Sequence, residues 1–328
     1  MNFSKTQNVL IQGITEPLGR SHARLMKEYG TPVVAGISPG DGGQEIDGIP
    51  IFDLVSEAVQ QFGRIDTTLI FVPPYEMLDA ALEAISSGIG QIILIPAGMP
   101  PLDMVKLLER SEASETLVLG PNCPGIIVPG QVLLGTHPTQ CYSPGRIGLI
   151  SCSDTLTYQV ALELTQAGWG QSIALALGRE TILGSSFPQW LQILEEDDQT
   201  DAIVLVGEID GVGGEARAAE YIIESIDKPV VAYLAGQKTP HSRPRGHAIA
   251  LLTSRIAAQL SVSETPIASW EGTTTQEWRD RKLAAFAAGK IPVAQKPSDI
   301  PRLLQHQLKP AKPSRSSRSS RKPTKNRQ

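Results

Sequence analysis

The sequence predicts an α/β protein with two doubly wound parallel sheets, and three observations lead there. Short β-rich apolar runs alternate with amphipathic stretches in both halves of the chain, the pattern of right-handed crossovers onto a parallel sheet. Glycine (30) and proline (25) are frequent while aromatics make up only 5%, a mix suited to many tight strand–helix turns. The length, 328 residues, is enough for two domains at roughly 150 residues each.

In the first half, strands are expected at Val9–Gly13, Pro32–Gly36, Thr68–Val72, Gln91–Pro96 and Thr116–Leu119. Helical patterns fall between them, at Gly19–Tyr29, Asp53–Phe62, Met77–Ser87 and Asp103–Arg110. The Pro/Gly-rich stretch Pro121–Gly145 separates the halves, with Val128–Tyr142 expected as extended connector. The second half repeats the theme. Its strands fit Arg146–Ser151, Ser172–Leu177, Ala202–Gly207 and Pro229–Ala235, and its helices fit Thr155–Ala167, Pro188–Glu196 and Gly214–Ser225. A closing helix pair, about Gln276–Ala288 and Ser298–Gln307, precedes the tail. The resulting division is 1–125, a connector at 126–145, 146–308, and a disordered basic tail at 309–328.

Composition excludes several classes. Hydrophobic residues at 41% can build a sizeable core. No apolar run approaches about 18 residues, so no membrane span is expected. The N-terminus lacks the signature of a secretory signal. Cys123, Cys141 and Cys152 are too few and too oddly spaced for a disulfide framework or a structural zinc site, which points to the cytoplasm and to no bound metal. Residues 310–328 carry seven Lys/Arg and no acid, leaving 22 basic against 34 acidic side chains in the remainder. Such a tail can be a solvated extension or can meet RNA, anionic lipid or an acidic partner surface; no aromatics interleave its charges as a specific single-strand binder requires, and no nucleic acid is expected elsewhere.

The loops after the strands carry the chemistry. Gly13–Gly19 follows the first strand and opens the first helix, a place where free N–H groups and the helix dipole can meet a phosphate. Ser38–Gly43, Val72–Pro74, Pro96–Pro100 and Gly120–Gly125 continue the same rim. In the second half, Ser151–Thr157 joins a strand to a helix and offers Ser and Asp as helix caps. Gly207-Glu208-Ile209 ends an apolar strand, where a carboxylate is well placed for a site. His247 sits beside Gly246 with Arg243 and Arg245 nearby. A carboxylate partner would fix its tautomer and raise its basicity.

Several runs occur in an order that resembles the α subunit of succinyl-CoA synthetase (succinate–CoA ligase). They are Gly120–Gly125 (GPNCPG), Ser151–Tyr158 (SxSxTLTY), Gly207–Ile209 (GEI), Lys228–Val231 (KPVV) and Gly246–Ala248 (GHA). The resemblance is collinear from about Asn8 to Gln307. It implies an N-terminal Rossmann-like CoA-binding domain and a flavodoxin-like ligase domain with a phosphohistidine loop. The reaction it implies joins succinate and CoA at the expense of a nucleoside triphosphate, through a phosphohistidine. His247 would carry the phosphoryl group, Glu208 would be its carboxylate partner, and Ser153, Thr155 and Tyr158 would flank the phosphate. Thr15, Gly19, Ser38, Pro39, Val72, Pro73, Asn122 and Cys123 would line the CoA site. ATP or GTP with Mg²⁺ would sit on a separate β subunit, met by the helix near Thr155 and the loop around His247 through a partly apolar exposed patch.

Departures from the family pattern concentrate at these sites. T-G-S-Q-G is here Thr15–Gly19 with Glu16 and Pro17, and P-G-K-G-G has Asp41 for its lysine. T-E-G is Pro96-Ala97-Gly98, S-R-S-G is Ser151-Cys152-Ser153-Asp154, and G-G-D-P is Gly178-Arg179-Glu180-Thr181. Glu16 and Asp41 are expected to oppose CoA phosphates, and Asp154 to repel a phosphohistidine. The alternative implied is a noncatalytic or altered-specificity paralogue that keeps the fold and the partner interface.

Overall fold

A computed structural model describes residue 3 and residues 6–209, 214–237 and 275–308. His247 and the basic tail lie outside the described residues. The chain opens with β1 (Val9–Gln12), α1 (Pro17–Tyr29), β2 (Val33–Ile37), β3 (Glu45–Ile46), β4 (Ile49–Phe52) and α2 (Val55–Phe62). It continues with β5 (Thr67–Ile70), α3 (Met77–Ser86), β6 (Gln91–Leu94), α4 (Pro101–Ala113) and β7 (Leu117–Leu119). These strands form one sheet in the order β3-β4-β2-β1-β5-β6-β7, all parallel except β3. Strands β1, β5 and β6 are buried along their whole length, which explains their apolar runs with few polar positions. Helix α1 starts with Pro17, whose missing N–H costs nothing there, and stops at Gly30 with φ 100°.

The second sheet uses β8 (Gly125–Val128), β9 (Val132–Gly135), β10 (Pro144–Ser151), β11 (Gln171–Ala176), β12 (Ala202–Glu208), β13 (Val230–Ala235) and β14 (Val293–Ala294). Its order is β14-β13-β12-β10-β11-β8-β9. Helices α5 (Asp154–Gln166), α6 (Phe187–Glu196), α7 (Glu215–Ser225), α8 (Thr275–Ala288) and α9 (Ile300–Leu308) belong to this half. Both expected sheets are present, and both are doubly wound. The chain leaves β1 for neighbours on either side, and leaves β10 in the same way. Ligand crevices open at the carboxyl ends beside such switch points.

Two hairpins differ from expectation. Residues read as connector form β8 and β9, an antiparallel pair added to the edge of the second sheet. The turn between them is Pro129-Gly130, with φ 74° at the glycine and Gln131 N–H donating to Val128 O at 2.9 Å. Proline then glycine at the centre of such a turn is a type II signal. Asp47-Gly48 joins β3 to β4 with φ 51° and 73°, the left-handed pair of a two-residue hairpin. Both signals stand in the sequence.

The two halves share apolar packing. One buried cluster runs from Val9, Ile11 and Met26 through Leu133 and Leu134 to Leu149, Trp190 and Val204. A second, with Leu10, Ile37, Ile70, Met77 and Met104, fills the other face of the first sheet. Thr31 Oγ1 donates to Leu133 O at 2.8 Å and accepts from Leu133 N–H at 3.0 Å, tying the first half to the edge hairpin. Gly130 N–H reaches Tyr29 Oη at 2.8 Å.

Candidate functional site

The loops after β1, β2, β5, β6 and β7 gather at the carboxyl edge of the first sheet. Gly13, at φ 77°, turns the chain out of β1. A side chain at Gly19 would strike the Gly13 carbonyl, so only glycine lets α1 approach this closely. Thr15 and Ser38 hydroxyls lie 2.8 Å apart, and Ser38 Oγ donates to Asp41 Oδ2 at 2.7 Å. Gly40 and Gly42 N–H groups both point at Asp53 Oδ1, at 2.7 and 3.1 Å. Thus Asp41 within the loop and Asp53 just past β4 already take donors that could meet a phosphate. Glu16 is the N-cap of α1 without a side-chain cap, and Pro17 offers no N–H. Pro39 and Pro73 are exposed and Val72 is half-buried at the same edge.

Asn122 adopts φ 58° and its Nδ2 donates to Glu180 Oε1 at 3.3 Å. Cys123 does not line the rim. It is buried and donates to Leu94 O at 3.3 Å, and burial pushes its thiol up to about 12.

The second site forms beside β10. Ser153, two residues past the end of β10, Arg179, from the loop after β11, and Glu208, the last residue of β12, meet there. Arg179 Nη2 donates to Ser153 Oγ at 2.8 Å and to Glu208 Oε1 at 3.0 Å, and its Nε lies 3.4 Å from Asp154 Oδ1. Ser153 is the N-cap of α5, yet its side chain makes no cap hydrogen bond. The expected capping role is not taken up, because Arg179 engages that oxygen. Nor does Asp154 stand as a bare negative charge, since Arg179 pairs with it. Thr155 is exposed on the first turn of α5. Tyr158 lies one turn further and packs edge-on to His137, with ring centroids 5.9 Å apart.

A buried ion pair supports Glu208 from behind. Lys282 Nζ lies 2.8 Å from Glu215 Oε2, with both side chains excluded from solvent. Glu215 Oε1 accepts from Glu208 N–H at 3.0 Å, and Lys282 donates to Glu208 O at 2.9 Å. The backbone of Glu208 is therefore held on both its donor and its acceptor. Cys152, buried beside this pair, has its thiol pushed well up by desolvation and then by Glu215 and Glu208. Sequence reasoning missed Glu215 and Lys282, and it named Arg179 and Glu180 only as a departure from the family pattern, without a role. The charge at 179 was visible, but its partners are 25 or more positions away.

Comparison with known proteins identifies both halves of the chain. Residues 4–98 match the CoA binding domain, and residues 144–269 match the succinyl-CoA ligase like flavodoxin domain. Succinate–CoA ligase [ADP-forming] subunit alpha 2 of Archaeoglobus fulgidus is 44% identical over 285 residues, covering 87% of this chain and 93% of the relative. The chain belongs to the succinate–CoA ligase α-subunit family. The α subunit of Aquifex aeolicus is 43% identical over 76% of this chain and 82% of its own length. Among solved structures, ATP citrate lyase of Methanosaeta concilii shares the fold at TM-score 0.76 and 18% identity, covering 93% of this chain and 50% of that one. This chain spans about half of that larger protein.

The first rim is open but carries no cation on its loops. A Cβ at Gly40 or Gly43 would meet nothing within 4 Å, so the loop leaves open space for a ligand to approach. Loops 13–19, 38–44, 72–76, 96–100 and 120–125 contain no lysine or arginine. Among the described residues, α5 exposes no large apolar side chain; those exposed include Leu18 and Leu25 on α1, Leu102 and Val105 on α4, and Ile223 on α7. On the described part of the expected partner face, Leu156 and Tyr158 are half-buried and Thr155 is exposed.

Proposed function

We propose that this chain is the α subunit of an ADP-forming succinate–CoA ligase whose site charges have been rearranged. The observation that carries the reading is the placement of Glu208. It ends a buried strand at the switch point of the ligase domain and is fixed by the Glu215–Lys282 pair. A carboxylate so held can orient a histidine brought to it. His247 is the phosphoryl carrier in this reading, and Ser153, Thr155 and Tyr158 flank its docking place at the start of α5. Thr15, Gly19, Ser38, Pro39, Val72, Pro73 and Asn122 face CoA, with Cys123 behind them. The relatives' names favour ATP, held with Mg²⁺ on a β subunit. In this reading CoA binding falls to residues 1–125 and the ligase chemistry to 146–308, in a cytoplasmic heteromer.

The chemistry suits the layout. A carboxylate is a poor acyl donor, and an acyl phosphate supplies the leaving group for thiol attack. A histidine nitrogen is a competent and reversible phosphoryl carrier. The test is succinate- and CoA-dependent ADP release by the chain co-purified with its β subunit. The His247→Ala complex should release none.

A second reading, a noncatalytic paralogue, is favoured by one observation: Asp41, Asp53 and Glu16 surround the CoA rim without a cation on its loops. In that case the complex assembles, binds no CoA and releases no ADP.

A further inference from the structure

We infer that Arg179 and Glu180, neighbours in one loop, are paired positioning residues that hold the phosphoryl side and the CoA side of the ligase site in register. The inference rests on the ligase reading above and adds the residues that couple its two halves.

The loop after β11 is anchored on both sides. Leu177 N–H donates to Ser151 O at 2.8 Å, in the ligase sheet. Gly184 N–H donates to Gly120 O at 2.8 Å, on the first rim. Gly178, at φ 116°, packs so closely on the Pro121 carbonyl that a side chain there would strike it. Between these anchors the two side chains diverge. Arg179 turns to Ser153, Asp154 and Glu208. Glu180 turns to the other unit, where its Oε1 accepts from Gly98 N–H at 3.1 Å and from Asn122 Nδ2 at 3.3 Å. One dipeptide therefore grips the phosphoryl-side helix and two CoA-side loops at once.

The charges also match what the chain lacks. Against the family pattern, position 97 has lost a carboxylate and position 152 a guanidinium. Arg179, which stands at a glycine of the family's G-G-D-P, brings a guanidinium back beside position 152, whereas Glu180 keeps the acid which that motif already has. Ala97 adjoins the Gly98 N–H that Glu180 holds, and Cys152 adjoins the Ser153 hydroxyl that Arg179 holds. Stability alone is a weak reason for such an arrangement, because partly exposed ion pairs contribute little to it. The side chains of Arg179 and Glu208 are each 29% exposed, and that of Asp154 is 37% exposed. A guanidinium has five donors in a fixed fork. These contacts use Nε and Nη2, leaving Nη1 for an incoming anionic oxygen. A phosphoryl group approaching the start of α5 then meets the positive charge of Arg179 together with the acid at 154.

The test uses the full chain co-purified with its β subunit and reads two quantities, the rate of acid-labile labelling from γ-labelled ATP and the Kd for CoA. Arg179→Gln should slow labelling at least tenfold and move the CoA Kd less than threefold. Glu180→Gln should weaken CoA at least fivefold and slow labelling less than threefold. Arg179→Lys should recover part of the labelling, and so should Asp154→Asn added to Arg179→Gln, because it removes the charge that Arg179 offsets. A merely structural arginine would not be rescued by changing Asp154. Equal effects of the two glutamine variants on both readouts, or no effect of either, would overturn the inference while the ligase reading stands. A wild-type complex that takes neither label nor CoA would overturn the ligase reading and this inference with it.

Discussion

The carboxyl edges of the two sheets face the same electrostatic problem and handle it differently. Each collects acids at a switch point. At the ligase edge, Asp154, Glu208 and Glu215 are met by Arg179 and Lys282, two cations drawn from distant elements. At the CoA edge, among the described residues, Asp41 and Asp53 are met by hydroxyl, amide and backbone donors of nearby loops and by no cation. The difference shows what a sequence departure means. An acid introduced beside an arginine leaves the local charge near balance. An acid that takes the loop's own N–H groups removes the donors a phosphate would have used.

Breaking the balanced edge should have the largest effect. Lys282→Met leaves Glu215 as a buried unpaired charge and frees the carbonyl of Glu208. Loss of one partner of a buried pair costs about 3–5 kcal/mol. Denaturant melts of Lys282→Met should show that loss, and Glu215→Gln with Lys282→Met together should recover much of it.

The balanced edge also carries a pH signature nearby. His137 is buried, bonded to Tyr142 Oη at 2.7 Å and Gly125 O at 3.0 Å, and burial pulls its pKa from 6.5 to about 4. The unfolded chain takes up a proton below about pH 6.5, whereas the folded chain does so only near pH 4. Stability should therefore fall as pH drops through that window, by about 3 kcal/mol in all. His137→Gln should flatten this slope in pH-resolved melts. An unchanged slope would place the titration elsewhere.

Much of the fold was legible because buried parallel strands such as AIVLV leave nearly continuous apolar runs. The hairpins were missed because Pro129-Gly130 and Asp47-Gly48 lie in short segments with weak alternation, although their turn chemistry was plain. Position 50 adds a proline within β4, which argues against a strand by propensity. At the site, Glu208 was legible from its place at a strand's end. Arg179 was not, since nothing local says that a loop 26 residues after Ser153 folds back onto it. Long-range charge pairing is set by sheet order, and sheet order is not written in any one segment.

The edge hairpin gives a smaller test of how firmly the two halves are joined. Thr31→Val deprives both backbone groups of Leu133 of the Thr31 hydroxyl, at a cost of about 1–3 kcal/mol. Hydrogen exchange should speed up across β9 and leave β12 unaffected.

The smallest expected effect sharpens the comparison from the other side. Asp41→Lys with Asp53→Asn should tighten CoA by about tenfold, roughly 1.4 kcal/mol, at low salt, with less gain as salt rises. Calorimetry that finds no gain would show that the acids of the first rim do not face the phosphates.

The central claim is that the rearranged ligase edge still accepts a phosphoryl group. The most direct measurement is intact-mass and peptide mapping of this chain after its β-subunit complex meets γ-labelled ATP. The account predicts a single acid-labile, base-stable phosphoryl group on His247, discharged when succinate and CoA are added. An assembled complex whose β subunit binds ATP, but whose α chain stays unlabelled, would contradict it.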